Sequence, residues 1–154
     1  MAGYAQKDLR IDRNFAASPV DVWRAWTDPA LLSRWYAPPP MRTRVEELDV
    51  RVGGTQRLVM IDPTGQEYPL GGVFLDVVPE RRLVVSDAYV SAWVPSDKPF
   101  FTVIVTIEPA GTGTHYSVVA RHWSEVDRAA HEAMGFQKGW GICADQLGEV
   151  AASL

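Results

Sequence analysis

Residues 42–121 carry strand and turn signals throughout, and nothing among them repeats at the period of a helix. Strands are expected over 43–50, 56–61, 72–78, 83–90, 101–108 and 114–121. Turn residues join them: Gly53-Gly54, Asp62-Pro63-Thr64-Gly65, Pro79 and the hairpin sequence Ala110-Gly111-Thr112-Gly113. Parallel pairing would need crossovers of a dozen or more residues, usually helical. The connections here hold no helix, so the sheet must be antiparallel and meandering.

The flanks supply the helices. Residues 8–15 alternate, with Leu9, Ile11 and Phe15 on one face and Arg13 between them, while Arg10, Asp12 and Asn14 take the other; this is a half-buried strand. Ser18-Pro19-Val20-Asp21 combines an N-cap serine, a first-position proline and an acidic third position. The short helix it starts should bury Val22, Trp23 and Trp26. Asp28-Pro29 starts a second, presenting Leu31, Leu32 and Trp35 and ended by Pro38-Pro39-Pro40. Ser124-Glu125-Val126-Asp127 is another capping box. A helical pattern then runs to the C-terminus, first through Val126, Ala129, Ala130, Ala133 and Met134, then through Phe136, Trp140, Cys143, Ala144, Leu147, Val150 and Ala151. Gly135, Gly139, Gly141 and Gly148 interrupt it, each costing about 1 kcal/mol against alanine. Tertiary packing must hold such a helix, with Gly135 a candidate break, and the glycines permit close approach to a sheet or a ligand.

The expected architecture is α+β: a single domain over 1–154, with a curved antiparallel sheet of six to seven strands around a long C-terminal helix and two short helices after the first strand. A grip of this kind leaves a cavity between helix and sheet. A chain of 154 residues has the size of one domain. Its net charge of −4, pI near 5.3 and lack of any basic run longer than Arg81-Arg82 argue against nucleic acid as a partner. Cys143 is the single cysteine, so no intramolecular disulfide forms, which fits a reducing cytosol. Residues 1–7 contain no apolar signal core, and the most apolar stretch, 100–107, is far short of a membrane span and includes two threonines. The expected compartment is the cytoplasm.

Particular motifs resemble a known family. Arg13-Asn14-Phe15, Ser18-Pro19, Val22-Trp23-Arg24-Ala25-Trp26-Thr27-Asp28-Pro29 and Leu32-Ser33-Arg34-Trp35-Tyr36 with Pro38 look like the opening signature of the heat-shock-protein-90 ATPase activator homologues. That family belongs to the START-like, or SRPBCC, helix-grip superfamily. The likeness continues through Asp49-Val50-Arg51-Val52-Gly53-Gly54, the hairpin from Met60 to Gly65, Gly72-Val73-Phe74, Val78-Pro79-Glu80-Arg81-Arg82-Leu83, Gly135-Phe136-Gln137-Lys138-Gly139-Trp140 and Gln146-Leu147. The resemblance implies the helix-grip fold and a deep hydrophobic cavity; many relatives bind lipids, polyketides or other apolar molecules, and some are cyclases or hydrolases. Gln56 and Asp87 depart from the family's pattern, which often has an aromatic and an apolar residue there.

Six Trp, five Tyr and five Phe make this chain rich in rings. Trp23 and Trp26 belong to the scaffold. Trp35 and Tyr36 end the second short helix, near the expected cavity mouth. Gln56, Leu58 and Met60 share one strand parity, Phe74 lies on the next strand, Tyr116 with Val118 on the last, and Phe136 and Trp140 stand one helical turn apart. These residues can line a cavity for a flat or greasy ligand, or fill the space themselves. Asp87 shares parity with Leu83, Val85 and Tyr89. An inward Asp87 would be a desolvated carboxylate suited to proton transfer; an outward one would pair with an arginine such as Arg57. The ligand-binding candidates are therefore Trp35, Tyr36, Gln56, Leu58, Met60, Phe74, Asp87, Tyr89, Tyr116, Phe136 and Trp140.

No residue is singled out as catalytic, and no cofactor is expected. His115, His122, His131 and Cys143 lack metal-ligand spacing, so no metal is expected. Cys143, mid-helix on an apolar face, reads as a buried inert thiol. Trp93, in the loop 91–99, reads as a lid, a partner patch or a homodimer contact. Three functions follow in order: binding of a small apolar or aromatic ligand; a cavity enzyme of cyclase, dehydratase or hydrolase type using Asp87, Tyr89 or a cavity tyrosine; and a chaperone-partner module. The last rests on the family name and ranks third, because 154 residues leave no room for the eukaryotic activator's additional N-terminal domain.

Overall fold

A computed structural model describes residues 6–154. Strand β1 (Asp8–Phe15) is followed by helices α1 (Pro19–Thr27) and α2 (Pro29–Leu32). Strands β2 (Arg42–Leu48), β3 (Thr55–Ile61), β4 (Glu67–Val78), β5 (Arg82–Ser86), β6 (Tyr89–Ser91), β7 (Val94–Pro95), β8 (Phe101–Ala110) and β9 (Gly113–His122) come next. Helices α3 (Glu125–Ala133) and α4 (Phe136–Ala152) complete the order.

Seven strands form one antiparallel sheet in the order β1-β9-β8-β5-β4-β3-β2, and β6 pairs with β7 as a separate small hairpin. The first two strands in sequence thus occupy opposite edges. The residues between them must span the sheet's width, and α1 and α2 make that crossing. Both start at the expected caps: Asp21 N donates to Ser18 Oγ (3.3 Å) and Ala30 N to Asp28 Oδ1 (2.9 Å). Bulges between Val45 and Glu47 and between Phe74 and Asp76 bend the sheet.

Register sorts the side chains. Leu58 opposes Leu70, Phe74 opposes Val85, Val103 opposes Ala120, Ile107 opposes Tyr116, and Ile11 opposes Val118, all on one face. Helix α4 lies over that face, packed against β1 and α1. Its approach is set by Gly148, where a Cβ would stand 2.8 Å from the Phe15 ring. At the other end of α4, a Cβ on Gly139 would have nothing within 4 Å. The helix is thus pressed close to the Phe15 ring on one side, while Gly139, on the opposite side, is open. Gln146 Nε2 fastens the middle to the chain after α2, donating to the carbonyls of Trp35 (3.0 Å) and Ala37 (2.9 Å).

Several expectations need correction. The third expected strand starts five residues earlier, at Glu67, because β4 pairs with β3 along its whole length. The expected strand over 83–90 stops at Ser86, and residues 87–88 turn before β6. At this break the Asp87 carboxylate takes the peptide N–H of Phe100 (2.8 Å) and Phe101 (3.2 Å). The expected loop around Trp93 is largely the β6–β7 hairpin, where Trp93 remains exposed and packs edge-on to Tyr89. The C-terminal helical pattern divides at the candidate break, with Gly135 in the left-handed region (φ +96°) between α3 and α4. Val126 and Met134 are more than 70% exposed, because α3 buries none of its residues. Trp23 is only half-buried, and Ala25 takes the inner position expected for it.

Two substitutions in α4 should move stability in opposite directions. Gly139→Ala adds helix propensity where space is open and should stabilise by up to about 1 kcal/mol. Gly148→Leu overpacks the contact with Phe15 and should cost roughly 1–3 kcal/mol. Urea midpoints of the two variants measure both.

Candidate functional site

Two adjoining chambers lie between the inner face of the sheet and the start of α4. The first, about 330 Å³, is apolar. Trp35 and Tyr36 reach it from the segment after α2, Met60 and Leu70 from β3 and β4, and Phe101 from β8. Phe136, Gly139, Trp140 and Cys143 reach it from one face of α4, and His131 and Met134 from the end of α3. The second, about 290 Å³, shares Tyr36, Leu70 and Phe101 with the first and adds Val85, Val103, Gln56, Ser86 and Asp87. The pair thus has a greasy end and a polar end, with Tyr36 on the wall of both.

The sequence-derived candidates divide by place. Trp35, Tyr36, Met60, Phe136 and Trp140 meet at the apolar chamber, and Gln56 and Asp87 join Tyr36 at the polar one. Leu58, Phe74 and Tyr116 are fully buried and line neither chamber; they pack as core. Tyr89 lies apart on β6, beside a third hollow that also includes Arg57 and Asp87. The parity that joined it to Asp87 fails because residues 87–88 form a turn.

The walls also include residues outside the sequence-derived candidates, among them Leu70, Phe101, His131 and Cys143. Leu70 precedes the expected strand, strand signals give Phe101 no face, His131 has no metal-ligand spacing, and Cys143 continues the face of Phe136 and Trp140 at helical spacing.

The polar groups differ in how well they are satisfied. Trp26 Nε1 donates to Tyr116 Oη (3.0 Å) and Trp35 Nε1 to the Ala25 carbonyl (2.8 Å), so both indoles are paired inside the core. Tyr36 is 7% exposed, and its hydroxyl has no hydrogen-bond partner among the described residues. Burial pushes that hydroxyl's pKa upward, so it stays protonated and able to donate. Gln56 is 2% exposed, and its Nε2 is enclosed without a partner. Both lie on chamber walls, where a bound molecule could supply the missing partner. Desolvation raises the Asp87 carboxyl above its ordinary range, while the N–H groups of Phe100 and Phe101 oppose the shift. Burial pushes the Cys143 thiol up to about 12. Among the described residues no cluster of three metal-ligating side chains occurs, and no helix is long and apolar enough to cross a membrane.

With this geometry in view, the sequence matches the family described as "Activator of Hsp90 ATPase homolog 1-like protein" over residues 16–152. The chain belongs to that family. Its fold is shared by a protein of known crystal structure from Nitrosomonas europaea, 36% identical, with a TM-score of 0.91 over 97% of this chain and 96% of the other. A crystal structure from Chromobacterium violaceum is similar at 26% identity, with a TM-score of 0.77 over 93% of this chain and 96% of the other. An AHSA1-like protein from Aeromonas hydrophila, solved by NMR, shares the fold at 22% identity, with a TM-score of 0.73 over 95% and 92%. No curated protein matches the sequence significantly. Seen as an activator-homologue domain, the chain has the helix-grip architecture implied by its motifs. The departures at Gln56 and Asp87 both fall on the polar chamber.

Two tyrosines make a paired test. Tyr116→Phe strands the buried Trp26 N–H and should cost about 1–3 kcal/mol. Tyr36→Phe breaks no bond among the described residues and should change stability by less than about 0.5 kcal/mol. Thermal denaturation of both variants distinguishes the anchoring hydroxyl from the free one. Cys143 should also resist alkylation by iodoacetamide at neutral pH in the folded protein and react readily once urea unfolds it, as followed by mass spectrometry.

Proposed function

We propose that this domain binds a small apolar or aromatic molecule in the paired chambers between the sheet and α4. The observation carrying this reading is Tyr36: a buried residue whose hydroxyl has no partner among the described residues, on the wall shared by both chambers. A hydroxyl not spoken for within the protein is free to pair with a ligand. A ligand whose flat body lies against Phe136 and Trp140 can bring a polar group to Tyr36.

The chamber sizes suit this role, since small-molecule sites begin at roughly 300 Å³ and are mostly apolar with a few polar groups. The acid–base alternative has less support. Asp87 is the carboxylate of the polar chamber, and its carboxyl group is already held by two peptide N–H groups. The histidine of the neighbouring chamber titrates at about 4, which makes it a weak base. A chaperone-partner role draws on the family name alone.

Native mass spectrometry of the freshly purified protein should show a retained small molecule, and added naphthalene should quench the tryptophan fluorescence. Gly139→Phe places a ring on the wall of the apolar chamber at a position where a Cβ meets nothing within 4 Å. It should abolish both signals while the protein stays folded. Retention and quenching unchanged in that variant would place the bound molecule elsewhere.

A further inference from the structure

His122 on β9 and His131 on α3 meet ring to ring, with His122 Nε2 at 2.8 Å from His131 Nδ1. The direction of this hydrogen bond is fixed from outside the pair. His122 Nδ1 lies 2.8 Å from the carbonyl oxygen of Lys7, and a carbonyl can only accept. His122 Nδ1 therefore carries a proton. In a neutral ring the other nitrogen is then bare, so His122 Nε2 accepts and His131 Nδ1 donates. The proton of neutral His131 is committed to Nδ1. Its Nε2 keeps a lone pair and has no partner among the described residues.

The His131 ring is held in place by other rings. Phe100, Phe101 and Phe136 lie with their centroids 5.1, 4.8 and 5.1 Å from it. The ring also forms part of the apolar chamber's wall. Burial among these rings pulls His131 down to about 4. It therefore stays neutral under ordinary conditions and is too weak a base to take a proton from a hydroxyl. What it offers is hydrogen-bond acceptance.

We propose that His131 Nε2 accepts a hydrogen bond from a hydroxyl on the bound ligand, so that the chamber selects hydroxylated apolar rings over the corresponding hydrocarbons and ethers. This rests on the ligand-binding reading above and narrows it to a class: phenols, naphthols and ring alcohols. The Lys7 carbonyl and His122 act as positioning groups, because together they decide which nitrogen of His131 is bare.

The test compares naphthalene, β-naphthol and the methyl ether of β-naphthol by tryptophan quenching at about pH 8, where an ordinary imidazole is neutral. The ether keeps the shape and the acceptor oxygen but cannot donate. β-Naphthol should bind about 3- to 10-fold more tightly than its ether, as expected for one net hydrogen bond. His131→Phe keeps an aromatic ring without the lone pair and should bring β-naphthol and its ether to equal affinity. Equal binding of β-naphthol and its ether, with naphthalene still bound, overturns the hydroxyl proposal and leaves the ligand-binding reading standing. An advantage that survives in His131→Phe also overturns it. Failure of all three probes to bind overturns both.

A second measurement does not depend on how the variant folds. Nitrogen NMR of the imidazoles should find the His131 proton on Nδ1, and a bare Nε2 whose resonance moves on adding β-naphthol but not the ether. A proton found on Nε2 of free His131 defeats the proposal.

Discussion

The contact between Gly148 and the Phe15 ring governs the rest of the molecule. A helix can lie this close to an edge strand only where it carries no side chain, and the ring fills the space a Cβ would claim. The contact then passes inward through aromatic rings. Phe15 packs on Tyr116 at 5.2 Å, and Tyr116 Oη receives the Trp26 indole N–H. Trp26 meets Trp35 and Tyr36 at 4.9 and 5.9 Å, and Tyr36 meets Trp140 of α4 at 5.9 Å. The path begins and ends on the same helix. It therefore fixes the height of α4 above the sheet at two places.

The helix meets different neighbours along its length. Near its C-terminus Ala144, Leu147 and Ala151 are buried and Gly148 lies against the Phe15 ring. Near its start Phe136, Gly139 and Trp140 line the apolar chamber. Gly135 in the left-handed region lets α3 leave in a new direction instead of continuing over the gap. One helix thus serves as a clamp at one end and a roof at the other. The glycines that weaken it as an isolated helix are what allow the first role.

The architecture was legible in the sequence because it follows from local signals. Turn residues without intervening helices dictate an antiparallel sheet, and serine and aspartate caps mark where helices start. The site was legible in part. Trp35, Tyr36, Met60, Phe136 and Trp140 meet because strand parity and helical spacing carry that far. Leu58, Phe74 and Tyr116 have the same parity yet pack as core, because parity tells the face of the sheet and not the height of the helix above it. Tyr89 is separated from that face by the turn at residues 87–88, where the Asp87 carboxylate takes the peptide N–H groups of Phe100 and Phe101. No periodicity shows a side chain replacing a strand's partner.

His122 and His131 illustrate a different limit. Nine residues separate them, a strand end and a helix intervene, and neither matches any ligand spacing. Their meeting depends on the turn at residues 123–124 folding α3 back against β9. Once they meet, backbone chemistry settles what neither residue type implies alone: the Lys7 carbonyl accepts, so one proton position forces the next. The same reasoning separates the polar atoms of this core into two kinds. The indole N–H groups of Trp26 and Trp35 are paired within the protein and serve to hold rings in place. The Tyr36 hydroxyl, the Gln56 amide nitrogen and His131 Nε2 have no partner among the described residues, and all three side chains line the chambers. A core built only for stability would gain by replacing such groups with apolar ones of similar shape. Thr43 Oγ1, also buried without a partner among the described residues, lies apart from both chambers.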